Sequence, residues 1–166
     1  MIHVPPRDPF TVFGLKHSLD VDERALEARY LKLSRECHPD LHSNGQTGDC
    51  IAVLQRAAEI NDAWRILRDP WQRARTLLEL RSPGVLDRNK KLDPAFLADA
   101  LELAEQVAFA RVPDVAALRS RLQQALDADW AALRTAIDGG DLDGAAKRVH
   151  ASHYHRKALQ DLEAKS

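Results

Sequence analysis

His38-Pro39-Asp40 falls between two apolar-periodic segments, and its position decides how the rest of the chain is read. Ahead of it, Leu26, Tyr30, Leu33 and Cys37 recur at i, i+4, i+7 and i+11, the spacing of one buried helix face. Pro39 stops that helix, because proline lacks the N–H that would continue the ladder and its ring blocks the preceding turn. Behind it, Leu41 to Asp49 is loop by composition, rich in Gly and small polar residues. A second periodic run then sets in near Cys50, with Val53, Ala57, Ile60, Trp64 and Leu67. A helix, a turn carrying three constrained polar residues and a returning helix make a helical hairpin.

Working outward, strand signals are almost absent, while Ala, Leu, Glu, Arg and Gln fill the long stretches. Asp8-Pro9 opens a short helix, with Asp8 as N-cap and Pro9 at the first helical position, and Gly14 ends it. The hairpin's first helix starts near Asp20 or Asp22. Its second ends before Pro70, since a residue preceding proline disfavours the helical region. Asp69-Pro70 repeats the start signal, so a fourth helix is expected from Pro70 to about Leu80. Arg81-Ser82-Pro83-Gly84 is the clearest break, and the polar stretch 81–91 reads as a linker. Beyond it Asp93-Pro94, Pro113-Asp114 and Leu142 open three long helices, with Asp138-Gly139-Gly140 separating the last two. Short turns between long helices imply a small antiparallel bundle. The expected organisation is all-α: an N-terminal part over 1–80, a linker over 81–91 and a helical bundle over 92–166.

Composition excludes several classes of function. Lys and Arg total 24 against 25 Asp and Glu, a formal charge of −1, which is not the net basic footprint of a duplex-binding protein. No apolar run approaches the roughly 20 residues that span a bilayer. Met1-Ile2-His3-Val4-Pro5-Pro6 has neither the basic nor the apolar region of a signal peptide, so the cytoplasm is the expected compartment. The two cysteines, Cys37 and Cys50, form no C-x-x-C pair and no disulfide framework. Cys37, His38, His42 and Cys50, or His150, His153 and His155, could be imagined around zinc, but neither group has zinc-site spacing, and no metal or other cofactor is expected. No G-x-S-x-G, phosphate-cradling glycine loop or hydrolytic carboxylate pair is present, so the chain is not read as an enzyme.

What remains is binding. Proline restricts the relation of the imidazole and carboxylate that flank it, and Asp40 can accept a bidentate bond from a partner's arginine. Arg24, Arg29, Lys32 and Arg35 spread over one sector of the preceding helix, away from Leu26, Tyr30 and Leu33. Such a face either steers an acidic partner or is simply solvated. Next to His-Pro-Asp the docking face is the stronger reading. On the first bundle helix Leu97 and Leu101, with Glu102 and Glu105, fit an apolar stripe edged by carboxylates, and Leu at this spacing fits a buried core equally well. Trp64, Trp71 and Trp130 read as packing residues.

These residues carry a resemblance. Asp8-Pro9-Phe10 with Phe13-Gly14-Leu15, Tyr30 and Leu33 ahead of His38-Pro39-Asp40, Ile60-Asn61 before Ala63-Trp64, Asp69-Pro70 with Arg73-Ala74 and Leu77-Leu78, and Phe96-Leu97 with Leu101-Glu102-Leu103 resemble the HscB family over almost the full length. These are the specialised J-protein co-chaperones of iron–sulfur cluster biogenesis. The resemblance implies an L-shaped monomer in which an N-terminal J-domain docks on an HscA-type ATPase chaperone through His38, Pro39, Asp40 and the basic helix carrying Arg24, Arg29, Lys32 and Arg35. The C-terminal bundle would hold the scaffold protein IscU through Leu97, Leu101, Glu102 and Glu105, with Tyr154 contributing from the last helix. Two residues depart from the family pattern: Leu41 follows His-Pro-Asp in place of a basic residue, and Ala98 stands where relatives often carry Met. A general J-protein bringing another client to a DnaK-type chaperone is the alternative, and a metal-binding protein using the Cys37–Cys50 region is a third.

Overall fold

The structure is a computed structural model that describes residues 7–37 and 47–165, with the backbone alone for 47–50. All regular structure among the described residues is helical: α1 (Pro9–Val12), α2 (Glu23–Glu36), α3 (Thr47–Arg68), α4 (Pro70–Arg81), α5 (Val85–Arg88), α6 (Pro94–Ala108), α7 (Val112–Asp138) and α8 (Leu142–Glu163). The chain divides into two compact units, Met1–Leu77 and Leu78–Ser166, with the boundary inside α4. No described helix is long and apolar enough to cross a membrane.

In the first unit the start signals act as expected. Asp8 caps α1 by accepting from the Thr11 N–H at 3.1 Å, and Asp22 caps α2 through Ala25 N–H at the same distance. Partial burial works against the charge on Asp8, but the bonds from Thr11 and the nearby His17 hold its carboxyl below the ordinary carboxylate value. Gly14 ends the first turn with φ +61°, a left-handed conformation that glycine adopts without steric penalty. α1 and α2 both pack on α3. Phe10, Val12, Phe13, Leu26, Ile60 and Leu67 fill the space between them. The Tyr30 ring stacks on Trp64 at a centroid distance of 4.6 Å, and its hydroxyl donates to Asn61 Oδ1 at 3.0 Å, which fixes the register of α2 against α3.

Arg73 of α4 is shut into this unit at 5% exposure and donates from Nη1 to the carbonyl of Leu67 at 2.7 Å. That carbonyl is one of the last of α3, which has no partner within its own helix. Burial presses the guanidinium below its ordinary pKa, while Glu23, Asp20 and Asp69 pull it the other way. An arginine keeps its charge in either case, so the cation is held between the start of α2 and the end of α3.

The second unit is built round α8, which packs against α5, α6 and α7. Leu103 and Val107 of α6, Leu122 of α7 and Ala158 and Leu162 of α8 form a common core. Lys165 donates to the carbonyls of Val107 and Ala108, placing a cation at the C-terminus of α6. A buried polar pair crosses the helices: His155 Nδ1 lies 2.6 Å from Asp129 Oδ2, with both side chains largely enclosed.

The stretch expected as a linker, 81–91, is folded into this unit. Val85 and Leu86 are buried, and Glu79 accepts from the N–H groups of Gly84 at 2.7 Å and Leu86 at 3.0 Å. Asp143 at the start of α8 accepts from Asn89 Nδ2 at 2.6 Å and Arg88 Nε at 3.1 Å, and His150 Nε2 lies 2.8 Å from the Leu86 carbonyl. The Asn89 amide and the Arg88 guanidinium hold the Asp143 carboxyl below its ordinary value.

Two outcomes follow from these contacts. Arg73→Met keeps the aliphatic stem but strands the Leu67 carbonyl, and is expected to lower stability by about 2 kcal/mol in urea titration, with Arg73→Lys recovering only part of it. The depressed Asp143 carboxyl adds stability that is present above the unfolded carboxylate pKa of about 3.9 and is lost as pH falls through the folded value. Asp143→Asn should therefore reduce the slope of stability against pH below about pH 4, read from thermal melts at successive pH values.

Candidate protein-interaction surfaces

In the N-terminal unit the candidate surface is the outer side of α2. Arg24, Lys32 and Arg35 stand exposed, while Leu26 on the opposite side is 1% exposed. Arg29 is also exposed, but its Nη1 donates to the carbonyls of Phe13 at 2.6 Å and Gly14 at 3.2 Å. Its guanidinium thus ties α2 to the end of α1. The helical wheel accounts for this, since Arg29 is one turn before Leu33, roughly 40° from the buried face, whereas Arg24 and Arg35 are close to opposite it. Leu31, not singled out from the sequence, is 48% exposed within the same basic sector. An apolar residue breaking the charge pattern was the available signal. His38, Pro39, Asp40 and the neighbouring Leu41 lie outside the described residues.

In the C-terminal unit the candidate surface is α6. Asp93 caps it through Ala95 N–H at 2.7 Å, and Pro94 sits in its first turn. Ala100, Leu103 and Val107 form its buried stripe. Leu97 at 37% exposure and Leu101 at 62% are outside that stripe, so of the two readings of these leucines the structure gives the exposed one. Glu105 is exposed beside them. Glu102 is partly engaged: it accepts from Gln106 Nε2 at 3.0 Å, and Gln106 Oε1 accepts from Arg121 of α7 at 2.8 Å. This relay crosses from α6 to α7 and holds the Glu102 carboxylate at the edge of the apolar stripe.

Tyr154 of α8 joins this surface. It is 44% exposed, and its ring meets Phe96 edge-on at 5.9 Å. Phe96 also meets the His155 ring at 5.7 Å. The enclosed Asp129–His155 pair therefore backs Phe96, and Phe96, the residue before Leu97, supports the Tyr154 ring. Sequence spacing within α6 could not show this, because Phe96 and Tyr154 meet only when α6 and α8 pack. Phe109 at 84% and Val112 at 90% exposure, at the α6–α7 turn, are further apolar residues that the sequence reading missed. Their position against Pro113, where a turn is signalled, was the sign available.

The histidines near the C-terminus have separate duties. His150 reaches the Leu86 carbonyl, His153 packs on Tyr154 and His155 pairs with Asp129. Among the described residues no three His, Cys, Asp or Glu side chains are grouped to hold a metal ion. Cys37 ends α2, and the side chains of His42 and Cys50 lie outside the described residues.

Comparison with known proteins matches both parts of the chain to families. Residues 8–76 match the DnaJ domain, and residues 92–163 match the HSCB C-terminal oligomerisation domain. Among solved structures, chaperone HscB from Vibrio cholerae is 26% identical with a TM-score of 0.84, over 96% of this chain and 97% of that one. The human co-chaperone protein HscB is 24% identical with a TM-score of 0.87, over 98% of this chain and 83% of that one, a likeness of fold. With the two domain models in one chain and in the same order as the two compact units, the protein belongs to the HscB family of J-domain co-chaperones.

Proposed function

We propose that the protein stimulates ATP hydrolysis by an HscA-type chaperone and delivers an IscU-type iron–sulfur scaffold to it, acting in the cytoplasm as a monomer without catalytic chemistry of its own. The observation that carries the reading is the pairing in one chain of a DnaJ domain with an HSCB C-terminal domain whose Leu97, Leu101 and Tyr154 stand exposed on neighbouring helices.

On this reading the division of labour follows from the side chains. Arg24, Lys32 and Arg35 supply an exposed positive face that speeds encounter with an acidic chaperone surface. Arg29 shares the sector, and its bonds to Phe13 and Gly14 keep the face in place. His38, Pro39 and Asp40 complete the docking, with Asp40 accepting from a partner's arginine. At the other surface Leu97, Leu101 and Tyr154 give apolar area for the scaffold, and Glu102 and Glu105 set its orientation from the edge. Holding chaperone and client together favours the hydrolysing, client-closed state only to the extent that the two are bound more tightly in it.

Single-turnover hydrolysis by an HscA-type chaperone tests the first half. This protein and IscU added together should accelerate it more than either alone, and Asp40→Asn should abolish that acceleration while leaving thermal stability unchanged. Undiminished stimulation by the variant would overturn the docking assignment, and stimulation without any effect of IscU would transfer the protein to another client. For the second half, Leu101→Ala is expected to weaken IscU binding about tenfold by calorimetry, as truncating a central apolar contact does.

A further inference from the structure

Beside the start of α6 a groove of about 500 Å3 opens between residues 91–96 and the first turns of α8. Leu92, Phe96 and Ala151 give it an apolar lining, and Lys91, Lys147 and Arg148 stand round it. All three cations are exposed, and none makes an ion pair among the described residues. The carboxylate in the lining, Asp93, is engaged by the Ala95 N–H. Lys147 feels Asp143, but that carboxylate is already bonded to Asn89 and Arg88. With three cations against the single lining carboxylate of Asp93, the groove carries a net positive charge.

The groove is continuous with the surface assigned to the client. Phe96 lines it and also supports the Tyr154 ring. Lys147, Ala151 and Tyr154 follow at i, i+4 and i+7, one stripe of α8. At the far side of the Leu97–Leu101 stripe stand Glu102 and Glu105. The surface has an apolar centre with a negative edge on α6 and a positive groove at the start of α8. We infer that this groove is a second contact of the client-binding face and takes an acidic segment of the client, one whose carboxylates meet Lys91, Lys147 and Arg148 while an apolar side chain lies on Leu92 and Phe96. The inference rests on the client reading proposed above, and it adds a source of orientation: charge of opposite sign at the two edges admits a client in one direction and opposes it in the other.

Charge reversal at exposed positions tests this without touching the core. Lys147→Glu and Arg148→Glu are each expected to weaken binding of purified IscU about fivefold to tenfold at low ionic strength, with the loss shrinking as salt is raised. Lys157→Glu, an exposed reversal elsewhere on α8 beside Asp161, serves as the control and should change the affinity less than about twofold. Leu101→Ala is measured in parallel. Wild-type affinity in the two groove variants, together with a loss in Leu101→Ala, would overturn the groove while leaving the client face intact. Wild-type affinity in all of them would remove the client face and the groove with it. A loss that does not change with salt, or a change in sedimentation of the protein alone showing that a second copy fills the groove, would also overturn the inference.

Discussion

The buried guanidinium of Arg73 is the constraint on which the N-terminal unit depends. A charge at 5% exposure is tolerable only if its neighbours answer it. Here they are the Leu67 carbonyl and the negative field of Glu23, Asp20 and Asp69. Those groups lie at the end of α3, at and before the start of α2 and at the start of α4, and the one direct bond, to the Leu67 carbonyl, ties α4 to the end of α3. α2 is held in its middle by the Tyr30–Trp64 stack and at its side by Arg29. The orientation of the exposed basic face is what these two restraints leave.

In the second unit α8 takes the corresponding role through apolar area. It packs on three other helices, which accounts for the small residues Ala145, Ala146, Ala151, Ser152 and Ala158 among its buried positions. Small side chains let neighbouring helices approach closely, while Val149 and Leu162 fill the wider gaps. Polar groups then select the arrangement. Asp143 collects Arg88 and Asn89, and Asp129 collects His155, each across a long span of sequence. A buried carboxylate left unpaired is heavily penalised, so the enclosed Asp129–His155 pair disfavours alternative packings that apolar contacts alone would allow, while the exposed Asp143 adds directional bonds at the start of α8.

The sequence disclosed most of what is local. Asp-Pro starts, Gly stops and the apolar periodicity before His38 fix the helices to within a few residues, because capping and periodicity act over a single turn. Three features were not readable in this way. The stretch 81–91 looked like a linker because it is polar and contains Pro83 and Gly84. It is folded because Val85, Leu86 and Asn89 meet groups of α8 more than fifty residues onward, as the Asn89–Asp143 separation of 54 shows. Arg29 belonged by composition to a docking face, yet its position beside the buried stripe turns its guanidinium to the α1 carbonyls. Leu97 and Leu101 carry the same periodicity whether buried or exposed, and only the packing of α6 on α8 through Leu103 and Val107 separates the cases.

The near-neutral net charge conceals how the charge is distributed. Averaged over the chain, 24 basic and 25 acidic residues suggest a surface without electrostatic preference. Resolved by helix, α2 presents Arg24, Lys32 and Arg35 on one side, whereas α6 sets Glu102 and Glu105 along an apolar stripe. Screening at physiological ionic strength limits each patch to a range of about 8 Å, so each acts through the groups it meets at close range rather than through the charge of the whole chain. Net neutrality is therefore compatible with local steering by an exposed patch of either sign.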